Sequence, residues 1–243
     1  LGNVWKFDLS ASQSSSWAIA YNGKPLFSAK DKNGAAQMIT GGVLATQEPK
    51  TGKVWIFFGT GRYLNVDDPS SNLPQSWYGL IDDTVIKDRT ELSLRLLTNV
   101  EGGRVISKVT ALEDNKKGWY IDLIDTRERI VDIPVMVGHE LVMNTTIPDT
   151  NVCNPSGSGY VMAVEPYTGS GLKYNYFDIN NDGVFDAKDQ LTSGTTKLTA
   201  DGVKVQSLNS VVTFVQKPKT ATPDNPAGNI KAVTNCGAAE LCA

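Results

Sequence analysis

Apolar residues in this chain come in short runs set between turn signals, and few runs are longer than six. Val4-Trp-Lys-Phe-Asp-Leu9 alternates apolar and polar positions, the period of a strand with one buried face. Val54-Trp-Ile-Phe-Phe58 is continuously apolar, preceded by Thr51-Gly52-Lys53 and followed by Gly59-Thr60-Gly61. A run that short, rich in aromatic and β-branched residues and bounded by glycine, predicts a strand covered on both sides. Trp77-Tyr-Gly-Leu-Ile81 has the same character and stops at Asp82-Asp83. Gly118 to Leu123, Glu140 to Thr146 and Gly159 to Glu165 are further strands, and Val203 to Val215 reads as a strand pair or one long strand. Lys87 to Leu97 is the one stretch with room for a helical turn or two. Residues 217–235, holding Pro218, Pro223 and Pro226, read as a Pro-rich loop or linker.

Many short strands and little helix predict an all-β fold. Gly2 to Leu9 and Gly159 to Glu165 each place glycine before a strand with an acid near its end, and Thr51-Gly52 and Thr168-Gly169 mark similar turns. Such recurrence suggests a β-propeller, with residues 1–243 one portion of it and Trp5, Trp17, Trp55, Trp77 and Trp119 expected to fill the blade interfaces. A β-sandwich is the alternative.

Composition narrows the function classes. A 20% charged fraction, a net charge of −3 and a pI near 5.3 give no electrostatic footing for nucleic acid. No apolar stretch approaches the roughly 20 residues of a membrane helix. The chain opens in mid-strand with no targeting signal, as a portion of a longer protein would. Its three cysteines leave the pairing open: Cys236 and Cys242 can close a small loop, Cys153 can pair with either, and buried free thiols are the other reading.

One stretch carries chemistry. Asp178, Asn180 and Asp182 stand at alternate positions, Gly183 follows, and Asp186 and Asp189 complete a twelve-residue span, residues 178–189. This is the calcium-loop spacing, with Asp189 in place of the closing Glu. Ca²⁺ takes about six to eight oxygens at roughly 2.3–2.6 Å. Side chains at positions one, three and five would turn inward, glycine at six permits the turn, and the Val184 carbonyl and Asp186 would add oxygens. The expected ligands are Asp178, Asn180, Asp182, Val184, Asp186 and Asp189, and the expected cofactor is Ca²⁺. An Asx-rich surface turn is the plainer explanation.

Leu1-Gly-Asn-Val-Trp-Lys-Phe-Asp-Leu9, Phe57-Phe-Gly-Thr-Gly-Arg-Tyr-Leu64, Gln75-Ser-Trp-Tyr-Gly-Leu-Ile-Asp82 and Gly118-Trp-Tyr-Ile-Asp-Leu123 resemble the C-terminal region of the PilY1/PilC family of type IV pilus-associated adhesins. So do Asn144-Thr-Thr-Ile-Pro-Asp149 with Cys153, and Gly159-Tyr-Val-Met-Ala-Val-Glu-Pro-Tyr-Thr-Gly169. The resemblance runs in order from residue 1 to about residue 178. It implies the later blades of a β-propeller and a calcium loop that helps the pilus resist retraction, with roles in surface attachment and twitching motility. It places family ligands at Asp178, Asn180, Asp182, Val184 and Asp186, where Asn180 removes one negative charge. The implied partners are type IV pilus components, minor pilins or the pilus tip, and a host or abiotic surface. The implied location is the bacterial cell surface, at the pilus tip or outer membrane.

Two rivals compete with this non-enzymatic reading. A pyrroloquinoline quinone dehydrogenase propeller needs a Ca²⁺ presented to the quinone, whereas the loop here is self-contained. A dockerin-like module needs a second loop and following helices, and residues 190–202 are too rich in Thr and Gly for one. His139 is the only histidine and has no nucleophile elbow beside it, so no catalytic residue is assigned.

Overall fold

The computed structural model describes residues 2–150, 157–206, 212–217 and 229–234. Its strands are short, as the runs predict. β1 (Asn3–Val4), β2 (Phe7–Asp8), β3 (Ala18–Ile19) and β4 (Phe27–Ser28) make two small antiparallel pairs, β1 with β4 and β2 with β3. There follow β5 (Leu44–Gln47), β6 (Val54–Gly59), β7 (Ser76–Ile81), β8 (Ser93–Arg95), β9 (Leu97–Val100), β10 (Gly103–Ile106) and β11 (Gly118–Asp122). Then come β12 (Val135–Val137), β13 (Glu140–Pro148), β14 (Gly157–Val164), β15 (Gln190–Ser193), β16 (Thr196–Thr199), β17 (Gly202–Val205), β18 (Val212–Lys217) and β19 (Asn229–Thr234).

Two large sheets organise these strands. The first has the order β5-β6-β7-β11-β8, and the second β12-β13-β14-β17-β10-β9. Each contains a four-stranded antiparallel meander, β5-β6-β7-β11 and β12-β13-β14-β17. In each, a long excursion separates the third strand from the fourth: residues 82–117 in the first and 165–201 in the second. The repeat is therefore meander plus excursion. The Gly-led recurrence read from the sequence is a different pattern, since its first copy is split between β1 and β2 and its second lies in β14. The sheets are also stitched together: hairpin β9–β10 leaves the first excursion and pairs with β17 through Gly103↔Val203 and Arg104↔Gly202.

Parity along the strands makes the core. Trp55, Phe57, Trp77, Ile81, Trp119 and Ile121 of the first sheet pack with Leu141, Met143, Tyr160, Met162 and Val164 of the second. The opposite face of the first sheet, with Phe58, Tyr78 and Leu80, is covered by Leu26, Phe27 and Ala29 of the N-terminal segment. The opposite face of the second, with Val142, Val161 and Ala163, is covered by Leu172, Tyr176, Phe177 and Leu191 of its own excursion. Each sheet is covered on both sides, which is why its strands read as unbroken apolar runs.

Four expectations change. Trp55, Trp77 and Trp119 are buried, but Trp5 and Trp17, which lie in the connections just outside the two-residue N-terminal strands, are 41% and 50% exposed. Lys87 to Leu97 gives a single 3₁₀ turn, Arg89–Glu91, capped by Asp88 accepting from the Thr90 N–H at 2.8 Å, and then β8. Within residues 217–235, Lys217 ends β18 and Asn229–Thr234 form β19, paired antiparallel with β18 from Val212↔Thr234 to Lys217↔Asn229. The alternation after the prolines is that of a strand. β17 and β18 lie in different sheets, so Val203 to Val215 is neither one strand nor a pair. Cys153, Cys236 and Cys242, with any pairing between them, lie outside the described residues. No helix among the described residues is long and apolar enough to cross a membrane.

Candidate metal-binding loop

The acidic loop sits in the second excursion, held at both ends on the outer face of the second sheet. On the way in, Tyr176 and Phe177 are buried, their rings meet edge to face at 5.2 Å, and the Tyr176 hydroxyl donates to the Val137 carbonyl at 3.3 Å. On the way out, a 3₁₀ turn, Ala187–Asp189, leads into hairpin β15–β16, whose Leu191 is buried. Asn175 Nδ2 donates to the Asp186 carbonyl at 2.7 Å and ties the two ends together.

Within the loop, Asn181 and Gly183 take positive φ, 58° and 79°, and carry the chain round. Asp178 Oδ2 accepts from the Gly183 N–H at 3.0 Å. Asn180 Oδ1 accepts from the Asp182 N–H at 3.0 Å, and Asp182 Oδ1 from the Val184 N–H at 2.8 Å. The Val184 N–H, helped by Asn180 and Lys188, holds the Asp182 carboxyl below the usual range. Asp186 Oδ1 accepts from the Lys188 N–H at 2.8 Å and caps the 3₁₀ turn. Asp189 is buried and faces inward: Oδ1 accepts from Ile179 and Asn180, and Oδ2 from Asp186 at 2.9 Å. Asp189 thus acts as a strut across the loop, which suits the short side chain at that position.

The donor set fits a hard cation: four side chains and one carbonyl, all oxygen donors. One further observation supports the fit. Asp178 Oδ1 is buried and has no hydrogen-bond partner, a condition that costs about 1–3 kcal/mol unless something answers it. The carboxylates are nevertheless turned to their own backbone. Among the described residues no three His, Cys, Asp or Glu side chains are gathered at one point as a metal would gather them.

Sequence reasoning missed several charged residues that the fold puts to use. Arg104 and Glu128 are both fully buried and meet in a two-pronged pair at 2.5 and 2.8 Å, with the guanidinium 3.4 Å from the Tyr160 ring centre. Asp68, beside Pro69 in a turn-like stretch, is buried. Burial works to raise its carboxyl, but the Leu64 and Asn65 N–H groups and Arg62 outweigh that and hold it at about 2. Glu140, at the start of β13, is buried beside Tyr174. The only local signal for these four was a charge inside an otherwise apolar or turn-like stretch.

Comparison with known proteins follows the same lines. A family model described as the PilY1 beta-propeller domain matches residues 1–120. A type IV pilus biogenesis factor PilY1 homolog of Xylella fastidiosa is 39% identical over 193 residues, 75% of this chain and 15% of the relative. The type IV pilus biogenesis factor PilY1 of Pseudomonas aeruginosa is 24% identical over 256 residues, 86% of this chain and 22% of the relative. The crystal structure of the Pseudomonas aeruginosa PilY1 C-terminal domain superposes with a TM-score of 0.77 at 22% identity, over 96% of this chain and 54% of that one. The chain spans about a fifth or less of these curated relatives and about half of the solved chain. With the all-β fold already in place, these matches show that the chain is a relative of the PilY1 C-terminal domain, its residues 1–120 belonging to the PilY1 beta-propeller domain family.

Proposed function

We propose that this chain is a calcium-binding, non-enzymatic portion of a type IV pilus-associated protein, with its site at residues 178–189. The observation that carries the reading is the buried, partnerless Oδ1 of Asp178 inside a loop of calcium-ligand spacing. The names of the relatives support the pilus part, since those proteins are called type IV pilus biogenesis factors. Asp178, Asn180, Asp182, Asp186 and the Val184 carbonyl would hold the ion, and Asp189 would keep the loop closed around it. The bound ion supplies positive charge to a span of four carboxylates that otherwise repel one another. Because the loop is anchored through Tyr176, Phe177 and Leu191, its ordering acts on the outer face of the second sheet. At the cell surface, that face would bias contacts with minor pilins, the pilus tip or a host or abiotic surface, and through them adhesion, retraction and twitching.

Calorimetric Ca²⁺ titration of the chain tests this. The parent is expected to bind one ion in the micromolar range, and Asp178→Ala and Asp182→Ala to weaken binding by about a hundredfold while melting as the parent does without calcium. A parent that takes up no Ca²⁺, or variants that bind it as the parent does, would remove the assignment.

A further inference from the structure

A cavity of about 650 Å³ opens where the β5–β6 turn, the first excursion and the start of the second excursion meet. That is the size of a small-molecule site. Its walls include Trp55, Ile81, Leu112 and Leu172. Three acids line it, Glu48, Glu140 and Glu165, together with three exposed lysines, Lys50, Lys53 and Lys173.

Glu140 is the unusual member. It is 5% exposed; one oxygen accepts from the Tyr174 hydroxyl, and the other, Oε2, is buried without a partner. The other buried acids among the described residues are answered. Asp68 has Arg62, Glu128 has Arg104, Asp201 has Lys108 and two backbone N–H groups, and Asp31 and Asp189 have backbone N–H groups. Burial, only partly offset by Tyr174, raises the Glu140 carboxyl to about 7, and Glu165 and Asp201 add to the effect. Glu165 accepts from the Thr168 hydroxyl and the Tyr167 N–H, and Glu48 from Thr51 and Trp55. None of the three acids, and none of the three lysines, forms an ion pair among the described residues.

The cavity thus has one partnerless carboxylate oxygen, on Glu140, three lysines outside any ion pair at its exposed side, and apolar wall between. A metal ion does not match it, because the volume far exceeds one ion and, among the described residues, no three acids, histidines or cysteines gather at one point. We propose that the cavity binds a zwitterion with an aliphatic stem, its ammonium group facing Glu140 and Glu165 and its carboxylate facing the lysines. That is the chemistry of lysine, free or at the C-terminal end of a peptide, with its side-chain ammonium and its carboxylate at the two ends of the stem. The ammonium answers the acids by charge-assisted hydrogen bonds, and the stem covers Trp55 and Leu112.

The test is calorimetric titration of the full chain at pH 8 in a calcium chelator, which separates it from the loop. The probes are 6-aminohexanoate, hexylamine and hexanoate. The expected result is one site for 6-aminohexanoate, at least about tenfold tighter than for either half-molecule. Glu140→Gln keeps an acceptor for Tyr174 and should weaken the zwitterion by about tenfold or more. Lys173→Met should weaken the zwitterion and leave hexylamine unchanged. An unshifted near-ultraviolet spectrum in each variant shows that the fold is kept. The proposal is overturned if the parent binds none of the probes, if hexanoate binds as well as 6-aminohexanoate, or if correctly folded Glu140→Gln binds undiminished. Free L-lysine and a Gly-Gly-Lys peptide then separate the two sources. Equal binding supports a chain terminus as the occupant, and binding of L-lysine alone supports a free amino acid.

Discussion

At the scale of single residues, the protein answers most of its buried charges locally, but leaves one carboxylate oxygen without a partner on each of Asp132, Glu140 and Asp178, of which Glu140 is the most buried residue. An acid whose folded-state proton affinity lies above its unfolded value keeps its proton in the folded state through the window between the two. Stability then falls as pH rises through that window. For Glu140 the window runs from the ordinary 4.5 to about 7, and the full cost, of the order of 3 kcal/mol, is reached above it. Asp68 and Glu113 act in the opposite sense. Asp68 is held at about 2 as described, and Glu113 at about 2 chiefly by its hydrogen bonds from Arg95, so their stabilisation is lost as pH drops from about 4 toward 2. Asp132 and Asp201, each raised by burial to about 6, act in the same sense as Glu140, so urea unfolding at pH 5 and pH 8 should show the parent less stable at pH 8, and Glu140→Gln should remove a part of that difference. An unchanged difference in the variant would mean that other groups cause it. None of this was legible in the sequence. Glu140 read there as the polar end of a strand, and its isolation arises only when Tyr174 and the second excursion fold over it.

At the scale of elements, the first sheet depends on one absent side chain. A β-carbon on Gly79 would lie 2.4 Å from Trp119 Cε2, in the space where Trp119 meets Trp77 edge to face at 5.4 Å. The ring has no free rotation in a packed core, so Gly79→Ala should destabilise by about 1–3 kcal/mol. It should also alter the near-ultraviolet circular dichroism of the tryptophans; a variant with the parent's spectrum and melting temperature would contradict this account. The strand itself was readable, because Trp77 to Ile81 is a bounded apolar run, and so were β6, β11, β13 and β14. That residues 178–189 form a tight Asx-rich loop was readable for a related reason: its Asp, Asn and Gly spacing is entirely local in sequence. β8 was not, because its partner is β11 in parallel register and the segment also carries the helix-like 3₁₀ turn capped by Asp88. β19 was hidden behind three prolines whose turn signal masked the alternation that follows.

At the scale of the whole molecule, the layers are linked so that the acidic loop acts on more than itself. It lies in the connection that leads from β14 to β17, and β17 is central in the second sheet. An ion held at about a thousandfold over its dissociation constant adds about 4 kcal/mol to the bound state. For a chain of this length that should raise the melting temperature by the order of 10 °C. Scanning calorimetry in calcium and in chelator should show this rise in the parent and not in Asp182→Ala; a transition indifferent to calcium would confine any binding to the loop. The position of β17 has another consequence, for the order in which the chain can fold. β10 and β14 must each wait, one edge unpaired, for the same short strand to arrive, β14 for all of it and β10 for Gly202 and Val203, roughly a hundred residues further along. During synthesis the second sheet is therefore an open ribbon until Val205 has emerged. Closing it is one late event that seals two edges at once, and a chain arrested before that point offers both to any neighbouring strand.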